Sequence, residues 1–305
     1  MHAQPAAQRS SGSARLRIAG LLLALFATPP LAAATQCWRE LRFSASNGWF
    51  GASSTLRYEA PVPLERAGLA APRQGEALQP RGTQVGKIHA TFTAMSNTGE
   101  LDTWFDPQTL GALQSRRLSH GKDSRLKTHR FLDNGVWRER LEPADGARDA
   151  AKWTVRSAAL IPYPPQADAV APVLAPVMLL ARAAELVLSR RKVSDQLVFT
   201  DTQLYHVRLA TAPTEKIETD FRLAGDGPER RVREARTAQR VSVMPRLLGN
   251  AAEKEAFSLL ELTGDLAIFI DTESGLPLRI QGTWLRVGTV PANLARAELV
   301  PGCAG

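Results

Sequence analysis

Two cysteines are the residues whose chemistry most needs explaining, because a chain of 305 residues holds no others. Cys37 lies in the stretch TQCWRE and Cys303 in VPGCAG. Cys37 could carry a lipid, act as a nucleophile or form half of a disulfide. A lipid-attachment motif needs a small residue directly before the cysteine, and here Gln36 occupies that position. A nucleophile needs a neighbouring base in a folded pocket, and nothing around Cys37 indicates one.

The N-terminal residues indicate the compartment and so bear on the cysteines. Arg9, Arg15 and Arg17 precede the apolar run 18–27, and two prolines and three alanines follow. This order is typical of a secretory signal peptide, here residues 1–34, and the run is shorter than the ~20 residues of a membrane-spanning helix. An uncleaved membrane anchor is the alternative.

An exported chain meets oxidising conditions, where an even number of cysteines indicates a disulfide. We therefore predict a protein of the periplasm with a Cys37–Cys303 disulfide, which requires the two Cα atoms to lie within about 7 Å. Two free thiols are the alternative. No transmembrane helix is expected once the signal peptide is cleaved.

Other residues that could do chemistry form no catalytic or metal-binding pattern. The histidines outside the signal segment are scattered along the chain, at His89, His120, His129 and His206. No G-x-S-x-G nucleophile elbow and no glycine-rich phosphate loop is present. Asp265 and Asp271 stand in sequences typical of turns, where aspartate bonds locally. The sequence thus predicts no enzyme, no cofactor and no metal site.

The positive charge also has a plain interpretation. The formal net charge is +8, and the stretch ERRVREARTAQR is its densest basic segment. Such a segment could pair with nucleic-acid phosphates or with anionic lipid headgroups. It has no interleaved aromatic residues on which bases could stack. A solvated strand face is therefore the preferred interpretation, with no nucleic-acid partner.

Turn signals between alternating apolar and polar residues predict many strands. Asn47-Gly48 and Asn134-Gly135 indicate hairpins, the second with a type I′ turn, and further turns are expected at 225–227, 263–265 and 272–275. Residues 60–86 are rich in Pro, Gly and Ala and are interpreted as a surface loop. Residues 35–305 are expected to form a single β-rich domain.

One segment breaks the strand pattern. Residues 175–191 predict a helix that is apolar on most sides, with a narrow polar stripe of Arg182, Glu185 and Ser189, and such a helix is buried. The predicted fold class is mainly β: a long antiparallel curved sheet or open barrel wrapped around one central apolar helix.

The hairpin sequence IDTESGLPLRI resembles a known family. Its residues Asp271, Gly275, Leu276, Pro277 and Arg279 resemble the closing hairpin of the proteobacterial exported family catalogued as domain of unknown function 3108. The segment GELDTWFDPQTLGALQSRRL resembles an earlier hairpin of that family, and the similarity covers roughly residues 85–290. The resemblance implies an exported protein with a curved sheet around a helix, similar in shape to lipoprotein carriers. The family has no established activity.

Two functions fit these expectations. In the first, a concave apolar cavity holds a hydrophobic ligand such as an acyl chain or lipid, because ligand sites are concave and mostly apolar. The helix residues expected to line it are Val177, Leu180, Ala184 and Leu188. In the second, the protein is a structural or assembly factor of the cell envelope that binds another protein through its sheet edges.

Overall fold

A computed structural model describes residues 37–47, 50–94, 97–121, 124–144, 149–167, 171–249, 256–284 and 287–303. All of them belong to one compact unit, Ala33–Gly305. The predicted signal peptide lies outside the described residues. Among the helices of the described ranges, none has the length and apolar character that crossing a membrane requires.

Fifteen strands in the described part of the chain join into one sheet. They are β1 (Trp38–Asn47), β2 (Phe50–Pro63), β3 (Gln84–Ala94), β4 (Asn97–Phe105), β5 (Ala112–His120), β6 (Arg125–Phe131), β7 (Gly135–Glu142), β8 (Thr154–Pro162), β9 (Val173–Leu174), β10 (Val193–Phe199), β11 (Leu204–Ala224), β12 (Arg230–Leu247), β13 (Thr263–Asp271), β14 (Pro277–Trp284) and β15 (Gly288–Leu299). Short 3-10 turns cover Leu64–Arg66, Ala150–Lys152 and Pro176–Met178, and the helix α1 covers Leu179–Leu188.

The sheet consists of two antiparallel meanders joined in the middle. Strands β1 to β8 each pair with the next, and so do β10 to β15, while the short β9 adds in parallel to β10. The join is the antiparallel pairing of β1 with β15. The long strand β11 also pairs with β15, through Arg222–Ala224. The strands β11 to β15 therefore close into a ring, so the sheet is curved.

Alternation along the strands places the core on the inner face. In β1, Leu41, Phe43 and Ala45 are buried, whereas Arg42 and Ser44 between them are exposed. The buried apolar side chains of α1 and of both meanders form one continuous cluster. The predicted fold class, a mainly β curved sheet around one apolar helix, is confirmed.

The helix is shorter than the sequence pattern predicted. Instead of residues 175–191, a 3-10 turn begins at Pro176 and α1 ends at Leu188. Arg190 then adopts a positive φ of 55°, which ends the helix. The polar stripe is real: Arg182 donates to Glu185 at 2.6 Å, and the Ser189 hydroxyl donates to the Glu185 carbonyl.

The turns predicted at 225–227 and 272–275 are confirmed, the turn predicted at Asn47-Gly48 includes Gly48, which lies outside the described residues, and two details differ. The hairpin at Asn134-Gly135 is present, yet neither residue has a positive φ, so the turn is not type I′. Gly135 is needed for another reason: a Cβ there would lie 2.4 Å from the Ile161 carbonyl oxygen on β8. The turn predicted at 263–265 is wrong, because β13 already begins at Thr263 and the tight turn lies at 259–262.

The predicted disulfide is present. It joins Cys37 to Cys303 with a Cα–Cα distance of 5.5 Å. The Val300 amide also donates to the Cys37 carbonyl at 3.0 Å, which extends the pairing of β1 with β15 to the disulfide.

The Pro-rich segment is held against the sheet by one buried cation. Its irregular part is narrower than 60–86, because β2 continues to Pro63 and β3 starts at Gln84. Arg130 on β6 is buried, and its guanidinium donates to the carbonyls of Ala70, Leu78 and Leu113. These bonds satisfy a charged side chain inside the protein and fix the segment in place.

Candidate binding pocket on the inner face of the sheet

A cavity of about 320 Å³ lies on the inner face of the sheet, over β6, and we call it the β6 pocket. Strands β3 to β6, the start of the helical segment, the end of β10 and the segment 256–261 enclose it. Its lining residues are Ala90, Phe92, Leu101, Ser115, Arg117, Arg125, Lys127, His129, Phe131, Ala175, Pro176, Val177, Phe199, Thr200, Asp201, Ala256, Ser258, Leu260 and Glu261.

Strand β6 supplies a gradient of polarity along the pocket. Residues two apart on a strand point to the same face, so Arg125, Lys127, His129 and Phe131 all face the cavity. The charge lies at the start of the strand and the apolar ring at its end. The pocket therefore has a cationic end and an apolar end.

The apolar end is formed where the helical segment meets the sheet. The rings of Phe131 and Phe199 meet edge to face, with centroids 5.9 Å apart. Val177, from the 3-10 turn that precedes α1, also lines this end. These side chains offer hydrocarbon and aromatic surface, which suits an apolar group.

At the cationic end, the carboxylate of Asp201 receives several donors. Lys127 donates to it directly, and the Arg138 Nε lies 3.2 Å from its Oδ1. The His129 Nε2 lies 2.9 Å from the Asp201 carbonyl oxygen. That oxygen can only accept, so Nε2 must carry the hydrogen. The cluster joins β6 and β7 of the first meander to the residues that follow β10 in the second.

The protonation of this cluster follows from its burial and charge. Burial alone would raise the pKa of the Asp201 carboxyl, but hydrogen bonds and charges from His129 and Lys127 outweigh it and hold the pKa well below its usual range. Burial lowers the pKa of the Lys127 ammonium; Asp201 opposes this, while Arg125 and Arg138 lower it further. The carboxylate is thus ionised, and the surroundings of Lys127 carry an excess of positive charge.

A turn with an unusual backbone closes one side of the pocket. Leu260 and Glu261 have φ values of 49° and 69°, a conformation that non-glycine residues adopt at a cost of about 1–3 kcal/mol each. The Glu261 carboxylate accepts from Arg117 at 2.8 Å, and Arg117 in turn lies over the Phe92 ring at 5.1 Å. Leu260 itself lines the cavity. These contacts hold the turn over the pocket in spite of its conformational cost.

The four helix residues expected to line a cavity lie in different surroundings. Val177 lines the β6 pocket. Leu180 is fully packed in the core, and Ala184 is half-buried against it. Leu188 is 50% exposed and contacts the turn at Gly275, where a Cβ would lie 2.8 Å from its Cδ1. The structure brings one of the four to the pocket.

The hairpin residues 271–279 have structural partners. Asp271 accepts from Ser274 and from Arg236 at 2.6 and 2.7 Å. Gly275 has a φ of 72°, as its place in the turn requires. Leu276 is buried, Pro277 begins β14, and Arg279 donates to the Asn293 side chain at 2.8 Å. Their contacts explain the shape of the hairpin without a ligand.

Several other charged side chains are also paired. In the basic segment, Arg231 and Arg233 both donate to Asp220 across the β11–β12 hairpin. His206 lies 3.4 Å from the Asp195 carboxylate. Within the described ranges, no three His, Cys, Asp or Glu side chains are grouped as a metal site would require.

Comparisons with known proteins identify no relative. Neither a family model, nor a curated protein, nor a solved structure matches this chain. The resemblance to the domain of unknown function 3108 family stays a prediction.

The cationic end of the pocket was not foreseen from the sequence. The stretch RLKTHRF does alternate cation, apolar, cation, polar and imidazole, which places Arg125, Lys127 and His129 on one strand face. That pattern is the available signal. Asp201, the partner of Lys127 and His129, is more than seventy residues away and follows a strand of the other meander, so no local pattern pairs them.

Proposed function

We propose that this protein is a non-enzymatic, exported protein of the periplasm that holds a hydrophobic ligand, a single acyl chain, in the β6 pocket. The observation that carries the proposal is the cavity itself, with Phe131, Phe199 and Val177 at its apolar end. Its volume of about 320 Å³ is at the lower limit of small-molecule sites, roughly 300–1,000 Å³. That size favours one chain over a lipid with two.

The signal-peptide pattern and the disulfide support the export part of the proposal, because disulfides persist in oxidising compartments. The cavity volume of about 320 Å³ supports ligand binding over tight packing alone.

Native mass spectrometry of protein purified from cell envelopes, together with titration of a fluorescent fatty acid, tests the proposal. We expect a co-purified hydrophobic molecule or saturable binding of the probe. Ser258, half-buried at the pocket wall, allows the cavity to be filled by Ser258→Trp, which should abolish binding. Ser157→Trp on the exposed strand β8 adds the same side chain elsewhere and should bind normally. A wild-type protein with neither lipid nor probe bound would overturn the proposal.

A second candidate function is that of an envelope assembly factor, and one observation favours it. Strand β8 lies at one end of the sheet order, pairs with β7 alone among the described strands, and exposes every residue from Thr154 to Ala159. Natural sheets usually protect such edges, because an unprotected edge can pair with a strand of another protein. The opposite end is protected, because β9 is two buried residues long.

Site-specific photo-crosslinking in intact cells tests this second function. A photoreactive residue at Val155 on β8 should capture an envelope protein, whereas one at Glu218, exposed on β11, should not. Recovery of the monomer alone from the Val155 position would count against an assembly role.

A further inference from the structure

We propose that the ligand of the β6 pocket carries an anionic head, a carboxylate or a phosphate, which binds at the cationic end beside Arg125 and Lys127. This inference rests on the proposed function and names the chemical class of the ligand. It predicts that the protein prefers an acid to a neutral molecule with the same hydrocarbon chain.

The charges around the pocket do not cancel. Arg117, Arg125 and Lys127 line the pocket, and Arg138 contacts Asp201 behind it, whereas the pocket's carboxylates are Asp201 and Glu261 alone among the described residues. Two positive charges are therefore left over. Arg117 is neutralised by Glu261, and Asp201 is shared by Lys127 and Arg138.

Arg125 is the cation that most needs a counter-charge. It lines the pocket, is half-buried, and has no ion-pair partner among the residues that the structure describes. On β6 it is two residues before Lys127, on the same face. A ligand anion between these two side chains would accept charge-assisted hydrogen bonds, which are the strong ones.

The excess charge already acts on Lys127. Its pKa is lowered by burial, with Arg125 and Arg138 adding to the effect against the opposing attraction of Asp201. A second anion beside Lys127 would offset this repulsion. Because the site is partly withdrawn from water, the attraction is screened less than at the surface.

The apolar residues give the hydrocarbon chain a direction. From the cationic end, the chain can run towards Phe131 and Phe199. Phe92 and Leu260 line both the β6 pocket and an adjoining apolar hollow next to Phe43 and Ile280. This hollow has a volume of only about 20 Å³, room for about one water molecule, so the hydrocarbon chain stays in the β6 pocket. The pocket thus fits an amphiphile with one head and one tail.

Four single-chain probes of equal length test the inference: dodecanoate, dodecyl phosphate, dodecanol and dodecylammonium. Their affinities are measured by displacement of a bound fluorescent probe that is uncharged. We expect one or both anions to bind at least about tenfold more tightly than dodecanol, equivalent to about 1.4 kcal/mol, and dodecylammonium to bind most weakly. The preference for the anion should decrease as salt is raised. The two anions show whether the head site takes a carboxylate, a phosphate or both.

Variants separate the head site from the cavity. Arg125→Gln should weaken binding of the preferred anion by about tenfold and leave dodecanol binding unchanged. Arg116→Gln is the matched control, since Arg116 is exposed on the opposite face of the neighbouring strand β5. Equal affinities for dodecanol and both anions in the wild-type protein would refute the anionic head while leaving the cavity proposal intact. Failure of every probe to bind would refute the proposed function and this inference together.

Discussion

Removing the disulfide tests how the ends of the described chain are held. The perturbation is the double variant Cys37→Ser and Cys303→Ser. The two cysteines are 266 residues apart in sequence, and the chain-entropy model gives roughly 5–6 kcal/mol for closing a loop of that length in the unfolded state. Measured losses are often smaller than this model gives, so we expect unfolding free energy to fall by about 2–6 kcal/mol.

The native structure should survive the change. The Val300–Cys37 backbone bond and the pairing of β1 with β15 hold the same residues together without the disulfide. The loss should therefore come from a less restricted unfolded chain. In that case refolding slows while the unfolding rate changes little, because the constraint is released only when the chain unfolds.

Denaturant unfolding at equilibrium, with stopped-flow refolding and unfolding rates, measures both effects. Reduction of the wild-type protein should reproduce the double variant, and each single variant should match it. A loss below about 1 kcal/mol would refute the entropic reasoning. So would a loss that appears wholly as faster unfolding.

Three further predictions concern the ion pairs around Asp201 and the turn at Gly275. Asp201→Asn leaves Lys127 and Arg138 without their carboxylate. We expect the free energy of unfolding, measured with denaturant, to fall by about 3 kcal/mol, and a fall below about 1 kcal/mol would contradict this. Because the pKa of Asp201 is depressed in the folded protein, its stabilising contribution is complete above the ordinary value of about 4 and is lost as pH falls below it. Melting temperatures at pH 7 and pH 3 should thus differ less for Asp201→Asn than for the wild type, and equal differences would refute this. Gly275→Ala places a methyl group 2.8 Å from Leu188 at a φ of 72° and should lower the free energy of unfolding by about 1–2 kcal/mol. Gly227→Ala is the control, because Gly227 has open space around it and the change should alter stability little. Equal costs for the two variants would show that an alanine at 275 is not strained.

The sequence was informative wherever the signal is local. Alternation in β1 and β6, the turn at Gly275 and the apolar run of α1 each depend on residues close together, and these elements are present, although α1 is shorter than expected. The disulfide could be predicted because only two cysteines were available to pair. The hairpin at Gly135 was placed correctly, but the type I′ turn predicted for it was wrong, and the glycine is required by the close approach of the later strand β8.

Contacts between distant segments could not be predicted. The pairing of Lys127 with Asp201 and of Arg117 with Glu261 depends on how the two meanders face each other across the curved sheet. The closing contact of β11 with β15 depends on the curvature accumulated over five strands. Leu188 shows the same limit: it ends an apolar helix, yet it is half exposed because α1 stops there.

The position of β15 between β1 and β14 has a consequence for the order in which this protein can fold. As the chain emerges, each early hairpin can pair with the next, but β1 and β14 keep an uncovered edge until residues 288–299 arrive. An emerging chain therefore passes through a stage with two half-sheets and two unpaired strand edges, a stage prone to aggregation. A chaperone that covers these edges, or rapid pairing of β15, would limit aggregation at this stage. Loss of the twelve-residue strand β15 would prevent the two halves of the sheet from joining.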